Sequence, residues 1–550
     1  MKTGVFMGNL LARVRTFFES GAYRPWVAAI VIGLFLTGAW MRFSLPQVPL
    51  TNKDTGGYIR PALAMFVEGS YEPTHRNFPY AVFVWLLLKA TGTFNSITIV
   101  QHILGLAAGL FFWLAWLQMR VFLPRDWRVT AVHSALGVLL VWGLLDSKVP
   151  IFFEHSMRAE AIYPVLIGLH IFGAVRFLDC SLVRKSVPGS VWWGIFMTVI
   201  SIGLYVLKPI WGLAVVSGGI PLLIVLVLAR GRWRVVTLLT GALGAAVGFV
   251  LFALPESMIA FHHPPKIQLI SKQLMFVHAD IIERELQRDL AAPGEPHFPR
   301  EIILSTEKEF HDVLNRKTPK PYRTLGFDPD DFMTGLAADQ IEAYFSKQPG
   351  MADKFCKHYY AQAWLKQPLQ MLWKIIREMG VFYRFDGRLA CASVTLDLKE
   401  KYDEAVEITG SPKHMYRLRD SEIYKTYMAE LRGIRTPAKP FSTDLMVIFL
   451  SVVSAIYLAV LGLFLVAGVL WGRVGTPGSG GLPILWLGIW TFSYNFLITL
   501  TVAIAHSMSI QRYTETQFCL SIFSFCAGVL LLFSLLVGEG GPFAARKAGA

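Results

Sequence analysis

Ten apolar runs constrain this chain more than any other feature, because each is long enough to cross a hydrocarbon core of ~30 Å as a helix. They fall near 26–44, 97–119, 130–147, 161–178, 190–207, 211–229, 235–254, 444–470, 483–505 and 517–537. Of the 550 residues, 54% are hydrophobic and only 16% charged, outside the usual range for soluble domains. The expected fold is an all-α polytopic membrane protein. One further apolar stretch, Phe78 to Leu88, is shorter and ends at Lys89.

Cation placement decides whether that stretch crosses. With the N-terminus inside and Phe78 to Leu88 left uncrossed, the inside loops hold Arg13, Arg15 and Arg24, then Arg120, Arg125 and Arg128, Arg176, Arg184 and Lys185, and Arg230, Arg232 and Arg234, with Arg473, Arg546 and Lys547 following. The opposite short loops are poorer in cations and carry most of the short-loop carboxylates. Counting the stretch as a span would invert every later loop, so it is expected to be re-entrant or interfacial. Both termini are then cytoplasmic. The net charge of +14 reflects basic flanks facing anionic lipid and is no sign of nucleic-acid binding. No small-residue cleavage site follows the first apolar core, which points to a retained signal anchor.

Three regions follow. Residues 1–254 carry seven spans, 255–441 form a polar insertion on the outside, and 442–550 carry three spans and a basic tail. Helical periodicity in Asp280–Leu290, Glu307–Asn315 and Ala352–Glu378 predicts a mostly helical extracytoplasmic domain resting on the membrane. Of the five cysteines, Cys356 and Cys391 share this insertion, where a disulfide and two separate thiols are equally open.

The residues that suit chemistry gather on the outside. The first outer loop holds Asp54, Tyr58, Glu68, Tyr71, His75 and Arg76, on a helical spacing that would lay an interfacial helix on the bilayer with Asp54 at fixed depth. The structural alternative is that Asp54 merely caps that helix. Arg158 and Glu160 end the loop before the fourth span, where an acid also suits a solvated helix start. Lys208 precedes Pro209 between two spans, either as a snorkelling anchor or as a phosphate partner. His262 and Lys266 follow the seventh span, while Arg512 and Tyr513 lie between the last two. Arg can grip phosphate oxygens through two parallel hydrogen bonds. No HxH or HExxH spacing is present, so no metal ligands are assigned and a divalent metal, though open, is not indicated. Two acids among several cations suit a reaction in which a carboxylate takes a proton from an acceptor while a phosphate leaves.

The segment from Asp54 through Gly57-Tyr58, Ala64-Met-Phe-Val-Glu-Gly-Ser-Tyr71 and Arg76-Asn-Phe-Pro-Tyr80 resembles the C-type membrane glycosyltransferases. Within them, it is similar in particular to the bacterial branch related to protein O-mannosyltransferases and to the aminoarabinose transferase of lipid A. The likeness extends to Arg158-Ala-Glu160, Lys208-Pro209 and Ala363-Trp-Leu-Lys-Gln-Pro368. It implies inverting transfer of a sugar from a polyprenyl-phosphate donor to a lipid, glycan or protein acceptor at the outer face of a bacterial cytoplasmic membrane. It also implies Asp54 as the base and Glu160 as a second acid. Many relatives have two adjacent acids in the first loop, whereas here Thr55 follows Asp54. A polymerase or ligase using a pyrophosphate-linked donor would need a denser Arg cluster than the one at Arg512. A lipid-linked sugar transporter would need charged or broken helices at mid-membrane depth.

Overall fold

The structure, a computed structural model, describes residues 2–74, 76–209, 212–262, 268–319, 322–333, 335–384, 398–411, 415–434, 444–474, 481–508 and 510–537. An N-terminal helix, α1 (Lys2–Glu19), leads into α2 (Tyr23–Phe43). The first loop folds into α3 (Thr55–Val67) and α4 (Phe78–Thr91). Next come α5 (Asn95–Met119), α6 (Trp127–Leu145), α7 (Lys148–His155), α8 (Tyr163–Leu178) and α9 (Val187–Leu207). Helices α10 (Gly212–Leu228), α11 (Arg232–Gly248) and α12 (Leu254–His262) complete the first block.

Among the described residues, nine helices are long and apolar enough to cross a membrane. The expected crossing at 211–229 is α10, whose 17 residues reach about 25 Å at 1.5 Å per residue. α4, the uncrossed stretch, has 14 residues and spans about 21 Å, short of a ~30 Å core. It buries Tyr80, Ala81, Val84 and Leu88 and stops where Gly92 turns left-handed at φ 70°, its N–H capping Leu88 O at 2.8 Å. Among the described residues the β pairing is a single isolated parallel bridge, Leu50 with Ser156.

The insertion supplies α13 (Leu269–Val277), α14 (Ala279–Ala291), α15 (Arg300–Leu314), α16 (Asp330–Met333), α17 (Leu336–Tyr344), α18 (Met351–Lys366) and α19 (Pro368–Phe382). It ends with α20 (Leu398–Gly410) and α21 (Glu422–Gly433). The run read as one helix over Ala352–Glu378 is two, because Pro368 pushes Gln367 out of the helical region to φ −132°, ψ 48°. Cys356 is a buried free thiol, and Cys391 lies outside the described residues. The last block comprises α22 (Asp444–Val474), α23 (Gly481–Ala505), the short α24 (Gln511–Glu515) and α25 (Phe518–Val537).

The insertion does more than rest on the spans. Its first half packs on itself, around Phe276, Phe310, Phe332 and Phe355. Its second half joins the core of the spans through Phe382, Tyr402, Tyr424 and Tyr427. There Tyr402 Oη donates to Val48 O at 2.9 Å and Tyr427 Oη to Pro49 O at 2.9 Å, while Tyr427 also meets Thr51 Oγ1 at 2.6 Å. These bonds tether the extended segment that leads to Asp54.

Arg42 is fully buried in the last turn of α2. Its Nε and Nη2 donate to the two Glu154 oxygens at 2.7 and 2.8 Å, and His102 Nδ1 lies 2.8 Å from Glu154 Oε2. α5 comes close enough only because residue 105 is glycine: a Cβ there would lie 1.9 Å from Glu154 Oε1. Breaking a buried pair strands a charge, whereas replacing both partners by apolar groups need not. Glu154→Ala should therefore cost about 3–5 kcal/mol in thermal unfolding of the detergent-purified protein, and Arg42→Met/Glu154→Met should recover most of the loss.

Candidate functional site

Asp54 stands at the N-cap position of α3, but its carboxylate makes no capping bond. Backbone carbonyls close the helix start instead: the Thr55 N–H donates to Asn52 O at 3.0 Å and the Gly57 N–H to Asp54 O at 3.1 Å, while Asn52 Oδ1 and Thr55 Oγ1 brace the turn before it by accepting from the Asp54 and Asn52 N–H groups, each at 2.9 Å. The Asp54 carboxylate instead points at two guanidiniums. Arg76 Nη2 donates to Oδ1 at 2.9 Å, and Arg512 Nη1 donates to Oδ2. One arrives from the end of the first loop, the other from α24.

The second acid is built on the segment that follows α7. Leu50 N–H donates to His155 O at 2.6 Å and Met157 N–H to Leu50 O at 3.1 Å, which ties this segment to the first loop. Gln101 Nε2 donates to the carbonyls of Glu154 and Ser156 at 2.6 and 3.2 Å, and Tyr80 Oη donates to Gln101 Oε1 at 2.8 Å. The anchored turn carries Glu160, which is buried and accepts from Lys208 Nζ at 2.5 Å. Burial opposes the Glu160 charge, but Lys208 and Arg158 outweigh it and hold the carboxyl down at about 2.

Ring contacts join the two acids into one cluster. Lys208 Nζ lies 5.4 Å from the Tyr513 ring centre, and Arg512 lies 5.0 Å from the same ring while donating to Tyr513 Oη at 3.1 Å. Arg76 covers the Tyr58 ring at 5.0 Å. Burial, reinforced by Glu160, raises the Tyr58 phenol well above its ordinary value, so it remains a hydrogen-bond donor. Arg158 is only 9% exposed, yet its Nε has no hydrogen-bond partner among the described residues, and neither do Glu160 Oε2, Arg76 Nε or Arg512 Nε. Arg76, Arg158, Lys208 and Arg512 outnumber Asp54 and Glu160 by two charges. Buried donors without partners and a positive surplus suit an anion.

Other predicted residues lie elsewhere. His262 is exposed at the end of α12, where it meets Met258 O at 2.8 Å and the Phe261 ring of the same helix. His75 and Lys266 lie outside the described residues. Among the described residues, the ligand-type side chains grouped closely enough to share an ion are Glu283, Glu307 and His311, on α14 and α15 and outside this cluster.

Four neighbours escaped the sequence reading. His506 is buried against Tyr513, ring centres 4.7 Å apart, and burial together with Lys208 and Arg76 pushes it down to about 3, so it is neutral. Glu256 accepts from the Phe78 N–H at 3.1 Å, and Asn77 Nδ2 donates to Val206 O, so both spans steady the start of α4. Glu378 of α19 accepts from Ser507 Oγ and the Met508 N–H, both at 2.9 Å, and so holds the loop that carries Arg512. These bonds join residues far apart in the chain and leave no local pattern.

No protein-family model and no curated protein matches the chain. Among solved structures it is similar to a crystal structure of ArnT from Cupriavidus metallidurans bound to undecaprenyl phosphate, at 15% identity over 94% of this chain and 78% of that one, with a TM-score of 0.32. At that score no residue role is carried across.

The Glu160 carboxyl lies below the ordinary glutamate value of 4.5, so its ionisation favours the fold fully above about pH 4.5 and that contribution is lost as pH falls towards about 2, while burial works against the Lys208 ammonium. Each tenfold change in proton affinity between the folded and unfolded chain corresponds to ~1.4 kcal/mol, so Glu160→Gln should lower stability by about 3 kcal/mol near neutral pH. In acid unfolding series the gap from wild type should close below about pH 4.5. A gap that stays constant with pH would contradict an ionised pair.

Proposed function

We propose that this chain is an inverting membrane glycosyltransferase that takes a sugar from a polyprenyl-phosphate donor and passes it to an acceptor hydroxyl or amine at the outer face of the membrane. One observation carries the reading: the Asp54 carboxylate is held by two guanidiniums from separate loops inside a cluster with two surplus positive charges. The sequence likeness of the first loop to C-type glycosyltransferases supports it. On this reading residues 1–254 form the catalytic transmembrane module, 255–441 the extracytoplasmic helical domain, and 442–550 a second transmembrane module that adds Arg512 and Tyr513 to the site.

The donor phosphate would enter among Arg76, Arg158, Lys208 and Arg512. Its oxygens compete with Asp54 for the Arg76 and Arg512 donors and so release the carboxylate. The acceptor then attacks the anomeric carbon from the face opposite the phosphate and loses its proton to Asp54. The new bond forms as the carbon–oxygen bond to phosphate breaks, and the electron pair leaves on the phosphate oxygen. The phosphate goes from one negative charge towards two, and the cationic cluster stabilises that growth more than it stabilises the donor at rest. Glu160, fastened to Lys208, suits the task of aiming that ammonium rather than taking a proton. Tyr58 and Tyr513 fix the guanidinium planes. The acceptor, a lipid, an envelope glycan or a protein, would meet the insertion first.

Purified protein supplied with a synthetic polyprenyl-phosphate sugar tests the reading. Asp54→Asn should lower turnover by about 10²–10⁴-fold, the usual range for a general base, while donor binding persists. Arg512→Ala should weaken donor binding. Undiminished turnover by Asp54→Asn would end the assignment of Asp54.

A further inference from the structure

α19 shows three distinct sectors around its axis. At ~100° per residue, Met371, Lys374, Ile375, Glu378 and Met379 form a buried face. Gln370 and Arg377 form a narrow polar strip, and Gln370 accepts from Arg284 Nη1 at 2.6 Å. The remaining sector is apolar and open. Leu369 is 79% exposed, Trp373 65%, Leu372 48% and Ile376 48%, and Leu365 continues this sector on the preceding helix at 73%. A continuous patch of that kind on a folded chain marks a surface that something covers.

The depth of the helix says what covers it. Glu378 meets Ser507 and Met508, just beyond the end of α23 at Ala505. Five residues on, Tyr383 Oη donates to Asn495 Oδ1 at 2.9 Å, ten residues before that end and so about 15 Å deeper along α23. The Tyr383 ring also stacks on Tyr457, ring centres 5.9 Å apart, in the middle of the span Leu445–Leu470. Five residues of helix rise only about 7.5 Å, so the Tyr383 side chain completes the descent and places its ring and hydroxyl at mid-span level. A helix that runs obliquely between these depths presents its outer side to the layer that surrounds the spans, where Leu445, Ile448 and Val452 of α22 are likewise exposed. Trp373 falls near the boundary, where indole rings settle, and Lys366 and Arg377 flank the patch with stems long enough to reach headgroups.

We infer that α19 is an interfacial helix embedded obliquely in the leaflet on the insertion side, with Leu369, Leu372, Trp373 and Ile376 against lipid and Glu378 clamping the loop that carries Arg512. The helix links the bilayer mechanically to that loop. This inference rests on packing and depth and is independent of the reaction assigned to Asp54.

Spin labels test it in the full chain, reconstituted in nanodiscs, with Leu369→Cys, Trp373→Cys and Gln370→Cys compared and the unsubstituted chain setting the background. Power saturation should show labels at 369 and 373 several-fold more accessible to oxygen than to a water-soluble nickel chelate, and the reverse at 370. Ile376→Cys gives the same reading if the label at 373 disturbs folding. Equal nickel access at 369, 373 and 370 would place the face in water and overturn the inference. Intermolecular spin–spin coupling at 373 would show a second copy covering it and overturn it equally.

Discussion

The buried ion pair between Arg42 and Glu154 supports the whole arrangement above it. Desolvating two charges is costly, and only close geometry with further hydrogen bonds offsets that cost. Arg42 meets the condition by committing each of its nitrogens, Nε and Nη2 to Glu154 and Nη1 to the carbonyls of Gly38 and Leu145. His102 completes the set. The pair fastens α2, α5 and α7 at one level. Because Glu154 cannot move, the turn six residues later that carries Glu160 has a fixed floor.

From that floor upward, elements distant in sequence hold each other in place. The segment before Asp54 is pinned from one side by the backbone bridge to Ser156 and from the other by Tyr402 and Tyr427 of the insertion. The loop with Arg512 is pinned by Glu378, also of the insertion. The insertion thus touches both halves of the Asp54–Arg512 contact without supplying a residue to it. On the proposed reading that is a means of preorganisation, in which supporting residues set the geometry of the reacting ones.

How much of this was legible in the sequence follows from how far each interaction reaches. The spans were legible because hydrocarbon demands long apolar runs, and observed helices such as Asn95–Met119 and Phe518–Val537 differ from the expected ranges by only a residue or two. The insertion helices were legible from periodicity, except at Pro368, where the apolar spacing carries on through a break set by backbone sterics. The gathering of Asp54, Glu160, Lys208 and Arg512 was legible through loop parity, since those loops were expected on one side. The pairings were not: Arg42 and Glu154 are 112 residues apart, Asp54 and Arg512 are 458 apart, and neither leaves a spacing to read. Asp54 also sits where a capping residue would, and only the structure shows backbone carbonyls closing the helix start while its carboxylate turns to two guanidiniums.

On the proposed reading, the double grip on Asp54 has a kinetic meaning. A carboxylate already occupied by two guanidiniums is a poor proton acceptor, so without a donor phosphate to draw those guanidiniums away the site is masked by its own cations. On the proposed reading, an acceptor or a stray water that arrives first finds no free base. Binding would then be ordered, donor before acceptor, and the resting enzyme would be protected from wasteful hydrolysis by the same residues that later hold the leaving group.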